Sequence, residues 1–183
     1  MPFDDYELAM NRKLEIARWH SSHLPELVTH PPDMYQLPPI PLQAHFEGAG
    51  RALASIPDQL ASGICENLQE VFTTLPDTRR AYLHTTSRKL PQESELQVRV
   101  EEIVSDSRYC DLRSWRNRAT HRFDKKAMLD GMWVVEVPDD CSDPVTERDL
   151  TSYIEIMINY GGGIIEQMPL LSDLTLQLKE SFG

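Results

Sequence analysis

Apolar residues recur at steps of three and four over much of the chain, the spacing of helices with one buried face. Residues 4–20 form the first such stretch, with Tyr6, Met10, Leu14 and Ala17 on one face and Asp4 or Asp5 to cap it. The strongest signal covers 42–75, where Leu42, Phe46, Ala49, Leu53, Ile56, Leu60, Ile64, Leu68, Val71 and Leu75 fall in register. Pro57 lies inside it and predicts a kink or split near Ile56. Leu96, Val100, Ile103 and Val104 mark another helix, and a further one is expected over 107–123. The last begins near Thr146, which stands three residues before Asp149 in capping-box spacing.

Between these stretches the pattern breaks. Residues 21–41 hold six of the thirteen prolines and read as an extended, non-helical connector. Residues 76–91 hold Pro76, Pro91 and a Thr/Ser-rich middle. Met132–Val137 is a short β-type run, with Ala81–Thr86 as a candidate partner strand. Gly161-Gly162-Gly163 interrupts the last helix, which favours a close helix crossing over a flexible break. A phosphate loop is disfavoured, because no strand precedes these glycines and no Gly-Lys-Ser/Thr follows. Pro169 bends or ends that helix, and Leu171–Leu178 extend it. The sum is an all-α bundle of four to five helices with at most a small β-hairpin. Its expected division is 1–41, an N-terminal helix and proline-rich connector, and 42–183, the helical domain.

At 183 residues, 40% hydrophobic and 26% charged, the composition is that of a globular domain. The N-terminal decapeptide MPFDDYELAM lacks the basic start and apolar run of a signal peptide, and no apolar stretch is long enough to span a membrane. These features predict a cytoplasmic protein with no membrane association. Cys65, Cys110 and Cys141 are odd in number and widely spaced, which predicts reduced thiols, with no zinc site or disulfide framework.

The net charge of −11 argues against nucleic-acid binding until its distribution is considered. Residues 108–126 hold seven bases against two acids, a local +5 that leaves −16 on the rest. A basic patch on an acidic body still attracts a polyanion, because nearby charges dominate the local field. On a helix at about 100° per residue, Tyr109, Leu112, Trp115, Ala119 and Phe123 share one side. Asn117 and His121 lie opposite, near Cys110 and Ser114, with Arg116 at the stripe's edge. The arginines 116, 118 and 122 disfavour imidazolium at His121 and keep it competent as a base.

Arg116-Asn117-x-x-x-His121 resembles the R-N-x-x-x-H form of the R-x4-6-H motif of HEPN domains. The preceding amphipathic stretch, with His45-Phe46-Glu47-Gly48-Ala49-Gly50, Leu53 and Leu60, is similar to the long helix of a bacterial branch. The resemblance spans 42–170. It implies a HEPN-like helical bundle and a homodimer whose two motifs form one cleft. It implies metal-independent RNA cleavage by Arg116, Asn117 and His121, leaving 2′,3′-cyclic phosphate ends. Arg113, Arg118, Arg122 and Lys125 are the expected RNA-steering residues, and no cofactor is expected. Some HEPN toxins carry a tyrosine two residues after the histidine, where an antitoxin nucleotidyltransferase modifies them; here Phe123 stands there, which puts that route of control in doubt. Other HEPN domains are non-catalytic binding or scaffold modules, which is the alternative expectation.

The remaining candidates read more plainly. His20 and His23 can share a helix face, but the sequence supplies no third metal ligand. His30 and His45 read as isolated surface or packing residues. Trp19, Trp115 and Trp133 read as core or dimer contacts. Asp139, Asp140 and Asp143 read as a solvated turn without EF-hand spacing.

Overall fold

The computed structural model describes residues 3–28, 40–118, 128–129, 132–135 and 145–182, and the side chains of 3–27, 41–42, 44–114 and 151–182. The described chain is an all-α bundle. Its helices are α1 (Phe3–Val28), α2 (Ile40–Leu68), α3 (Leu83–Ser87), α4 (Glu95–Val104), α5 (Ser107–Arg118), α6 (Glu147–Glu166) and α7 (Met168–Phe182).

The most extensive packing joins α1 to α2. Phe3, Tyr6, Met10, Leu14, Ala17 and Leu24 of α1 are buried against the stripe Leu42, Phe46, Ala49, Leu53, Ile56, Leu60 and Ile64 of α2. The same core takes in Leu96 and Val100 of α4, Tyr109 and Leu112 of α5, Ile154 and Met157 of α6, and Leu171 of α7.

Helix α1 runs eight residues further than the proline content predicts and contains Pro25. Proline costs a helix its bond to the residue four back. Here that loss falls in the last turns, while Leu24 beside it is wholly buried. Pro41 lies in the first turn of α2, where an amide N–H has no helical partner to lose. Pro57 does not split α2, which is one helix from Ile40 to Leu68. An interior proline costs about 3 kcal/mol. Leu53, Ile56, Leu60 and Ile64 are each 0% exposed across it, and burying a side chain of this size is worth about 1.5–3 kcal/mol. Packing therefore outweighs the lost bond. Val71 and Leu75 follow the helix rather than continuing it, although Leu75 is still buried.

The glycine triplet lies within α6, without a break. A Cβ on Gly161 would stand 3.0 Å from Ile56 Cδ1 and 3.3 Å from Leu53 Cδ2. The close crossing is thus at Gly161, against α2. Gly163 has nothing within 4 Å of such a Cβ. Gln167 interrupts the helical run, and α7 begins with Met168 and Pro169.

The expected strand pair is corrected. Met132–Val135 is a strand, but its antiparallel partners are Met128–Leu129 and Val145–Thr146. Ala81–Thr86 instead enters the short helix α3. Asp77 accepts the Arg79 N–H at 2.8 Å and so starts a 3-10 turn over Thr78–Arg80. The Thr85 and Thr86 amides then both donate to the Tyr82 carbonyl at 2.9 Å. Backbone turn bonds thus take up the amides that strand pairing would have used.

Candidate functional site

The predicted motif begins on α5, and the start of that helix is built by Asp106. Its carboxylate accepts the Arg108 backbone N–H at 2.8 Å and the Arg108 guanidinium at 2.9 and 2.6 Å. The Arg108 side chain holds the Asp106 carboxyl below its ordinary range. The guanidinium also lies 4.6 Å from the centroid of the Tyr160 ring. Arg108 is one of the seven bases of the positive segment, yet its charge is engaged by Asp106 rather than offered to a ligand.

The inner face of α5 is pinned in two ways. Tyr109 and Leu112 are buried in the core. The Tyr109 hydroxyl accepts the His84 backbone N–H at 3.1 Å, tying α5 to α3. The second tie is polar. Asp111 is 4% exposed and accepts the Tyr153 hydroxyl of α6 at 3.1 Å. Burial, and then the Asp111 charge, push the Tyr153 phenol up, so it stays a donor across the ordinary pH range. Sequence patterning counted Asp111 only as a charge and Tyr153 only as an apolar position. The available signal was an acid lodged between Tyr109 and Leu112, at the edge of an otherwise apolar face.

The backbone is helical through Arg116, Asn117 and Arg118, while their side chains lie outside the described residues. His121, Arg122 and Lys125 lie outside them altogether. Arg113 is partly exposed on the same helix. The helix expected over 107–123 is therefore described to Arg118, with its core stripe represented by Tyr109 and Leu112.

The cysteines depart from the expectation of three reduced thiols. Cys65 is free and buried, and its burial pushes the thiol up. Cys110 is disulfide-bonded. Disulfides depend on spatial separation of the two Cα atoms, which wide sequence spacing does not reveal. Cys141 lies outside the described residues.

A second cluster was not legible as a group. His20 and His23 of α1 meet His45 of α2. The two Nδ1 atoms of His20 and His45 are 3.2 Å apart. His23 stacks on His45 with ring centroids 4.6 Å apart and planes at 17°. Trp19 stands beside all three, with centroids 4.8, 4.7 and 5.4 Å from His20, His23 and His45. His45 is thus not isolated, and Trp19, 57% exposed, is not a core residue. The rings stack and touch edges rather than converging three nitrogens on one point. Among the described residues no group of three His, Cys, Asp or Glu is placed to hold a metal ion.

No helix among the described residues is long and apolar enough to cross a membrane. No protein-family model, curated protein or solved structure matches this chain.

Proposed function

We propose that this chain is a HEPN-type, metal-independent endoribonuclease that works as a homodimer, in the role of a toxin or defence component. The observation that carries the reading is the Arg116-Asn117-x-x-x-His121 motif, whose first three residues lie on a helix anchored in the core of an all-α bundle. A rigid carrier suits the chemistry, because phosphoryl transfer depends mainly on positioning and charge stabilisation.

In this reading His121 takes the proton from an RNA 2′-hydroxyl, and that oxygen attacks the adjacent phosphorus. The P–O5′ bond breaks, the 5′-oxygen leaves with a proton, and a 2′,3′-cyclic phosphate remains. Arg116 holds the charge that grows on the phosphoryl oxygens. Asn117 orients His121 or the phosphate. Arg113, Arg118, Arg122 and Lys125 draw RNA toward the cleft. Arg116 and His121 are five residues apart, which does not aim both at one point from a straight helix. A twofold partner supplies the complementary group.

The alternative is a non-catalytic HEPN-like dimer that binds or scaffolds a protein partner. The acidic body, at a net −11, and the capture of Arg108 by Asp106 favour it, since both weaken the pull on a polyanion. A cytoplasmic location belongs to the first reading. The Cys110 disulfide weighs against it, because reducing compartments keep thiols reduced. The deciding experiment compares wild type, R116A and H121A on a single-stranded RNA. The enzyme reading expects cleavage by wild type and its loss in both variants, with unfolding midpoints unchanged. Cleavage retained by H121A overturns the assignment, and no cleavage by wild type leaves the scaffold.

A further inference from the structure

The histidine cluster between α1 and α2 is set by packing rather than by chance proximity. The His20 ring lies directly over Gly48, so closely that a Cβ there would stand 2.4 Å from its Cε1 and Nε2. The buried Ala17 and Ala49 flank this crossing on the same two helices. The ring therefore has no room to slide along α2. Its Nδ1 meets the Nδ1 of His45 at 3.2 Å, a hydrogen bond that requires one nitrogen to donate and the other to keep its lone pair.

His23 is fixed differently. Its Nδ1 lies 2.8 Å from the Trp19 carbonyl, which only accepts, so Nδ1 carries a proton. The Ser22 hydroxyl donates to the same carbonyl at 2.8 Å. A further proton on His23 must go to Nε2, on a ring stacked against His45.

We propose that His20, His23 and His45 form an acid-sensitive clasp that holds the second half of α1 against the start of α2. The cluster accommodates one extra proton, because a cationic donor to a neutral acceptor keeps the His20–His45 bond and the Trp19 ring favours one adjacent cation. A second proton on that pair sets two N–H groups against each other at 3.2 Å, and a proton on His23 stacks like charges. The groups acting on His20 are its burial, then His45 of α2, then His23 of α1, and all three favour the neutral ring. The three imidazoles make no ion pair among the described residues.

The sign follows from linkage. The separated helices bind a proton on His20 at the ordinary histidine value near 6.5, whereas closure lowers the affinity of His20 for it. Closure is therefore unaffected well above that value and weakens as pH falls below it. With the His20 proton excluded, the ratio of closed to open changes by up to roughly tenfold per pH unit in that window.

The test combines two measurements on the full chain. Histidine ring resonances followed by NMR from pH 8 to 4 should show His20 titrating below the ordinary range. Amide protection in residues 17–27 and 42–49, corrected for the intrinsic pH dependence of exchange, should fall between pH 7 and 5. It should fall far less in H20Q/H45Q, whose amides hydrogen-bond without titrating. An ordinary His20 titration in the wild type overturns the proposal, and this arm does not depend on the variant folding. So does equal acid loss of protection in both proteins.

Discussion

At the residue scale, the most consequential side chains are those whose polar atoms are buried. The Tyr153 hydroxyl and the Asp111 carboxylate join α6 to the helix that carries the motif. Removing a hydrogen bond to a charged group costs about 1.5–3 kcal/mol. Y153F should therefore lower the unfolding free energy obtained from urea titration by an amount in that range, and an unchanged value would show that the bond contributes nothing. The cysteines give a covalent check. When the protein is unfolded without reductant and alkylated, Cys65 should be modified and Cys110 should not. Peptide mass spectrometry reads both sites. Alkylated Cys110 would remove the disulfide from the account and strengthen the cytoplasmic reading. Neither Asp111 nor Cys110 was legible as a structural tie in the sequence. Asp111 depends on Tyr153, far along the chain, and three-to-four spacing reports only neighbours on one helix face.

At the scale of elements, periodicity was informative wherever burial dominated. The stripes of α1, α2 and α4 appear in the core, with Val104 partly buried at its edge. It misjudged elements where prolines or hydroxyls raised a competing signal. Residues 21–28 are helical despite Pro25, and Ala81–Thr86 turns into α3, where the Thr85 and Thr86 amides both donate to the Tyr82 backbone carbonyl. The glycines of α6 separate packing from propensity. At Gly163 an added methyl meets nothing within 4 Å, so G163A should raise stability by about 0.5–1 kcal/mol from helix propensity alone. At Gly161 the same methyl presses on Ile56 and Leu53 of α2. Overpacking of this kind costs about 1–3 kcal/mol. G161A should therefore be less stable than G163A, measured by thermal unfolding. Equal gains in both would mean that α6 and α2 do not cross closely at Gly161. G48A belongs to the same class, since its methyl would overlap the His20 ring. It should loosen α1 at neutral pH, read as lost amide protection in residues 17–27.

At the scale of the whole molecule, an all-α bundle was legible from hydrophobic spacing, and the described helices bear it out. The motif was legible as a sequence, and α5 carries its first three residues. The charge argument also changes at this scale. The +5 segment of 108–126 includes Arg108, which is bound to Asp106, and the acidic remainder sets the background against which RNA must approach. RNA affinity should consequently fall only modestly with added salt, since a small cationic patch neutralises few phosphates. The measurement that tests the central claim most directly is the end chemistry of total RNA incubated with the purified protein and excess chelator. The account predicts fragments with 2′,3′-cyclic phosphate ends from the wild type and intact RNA with H121A. RNA left whole by the wild type, or identical fragments from H121A, would contradict it.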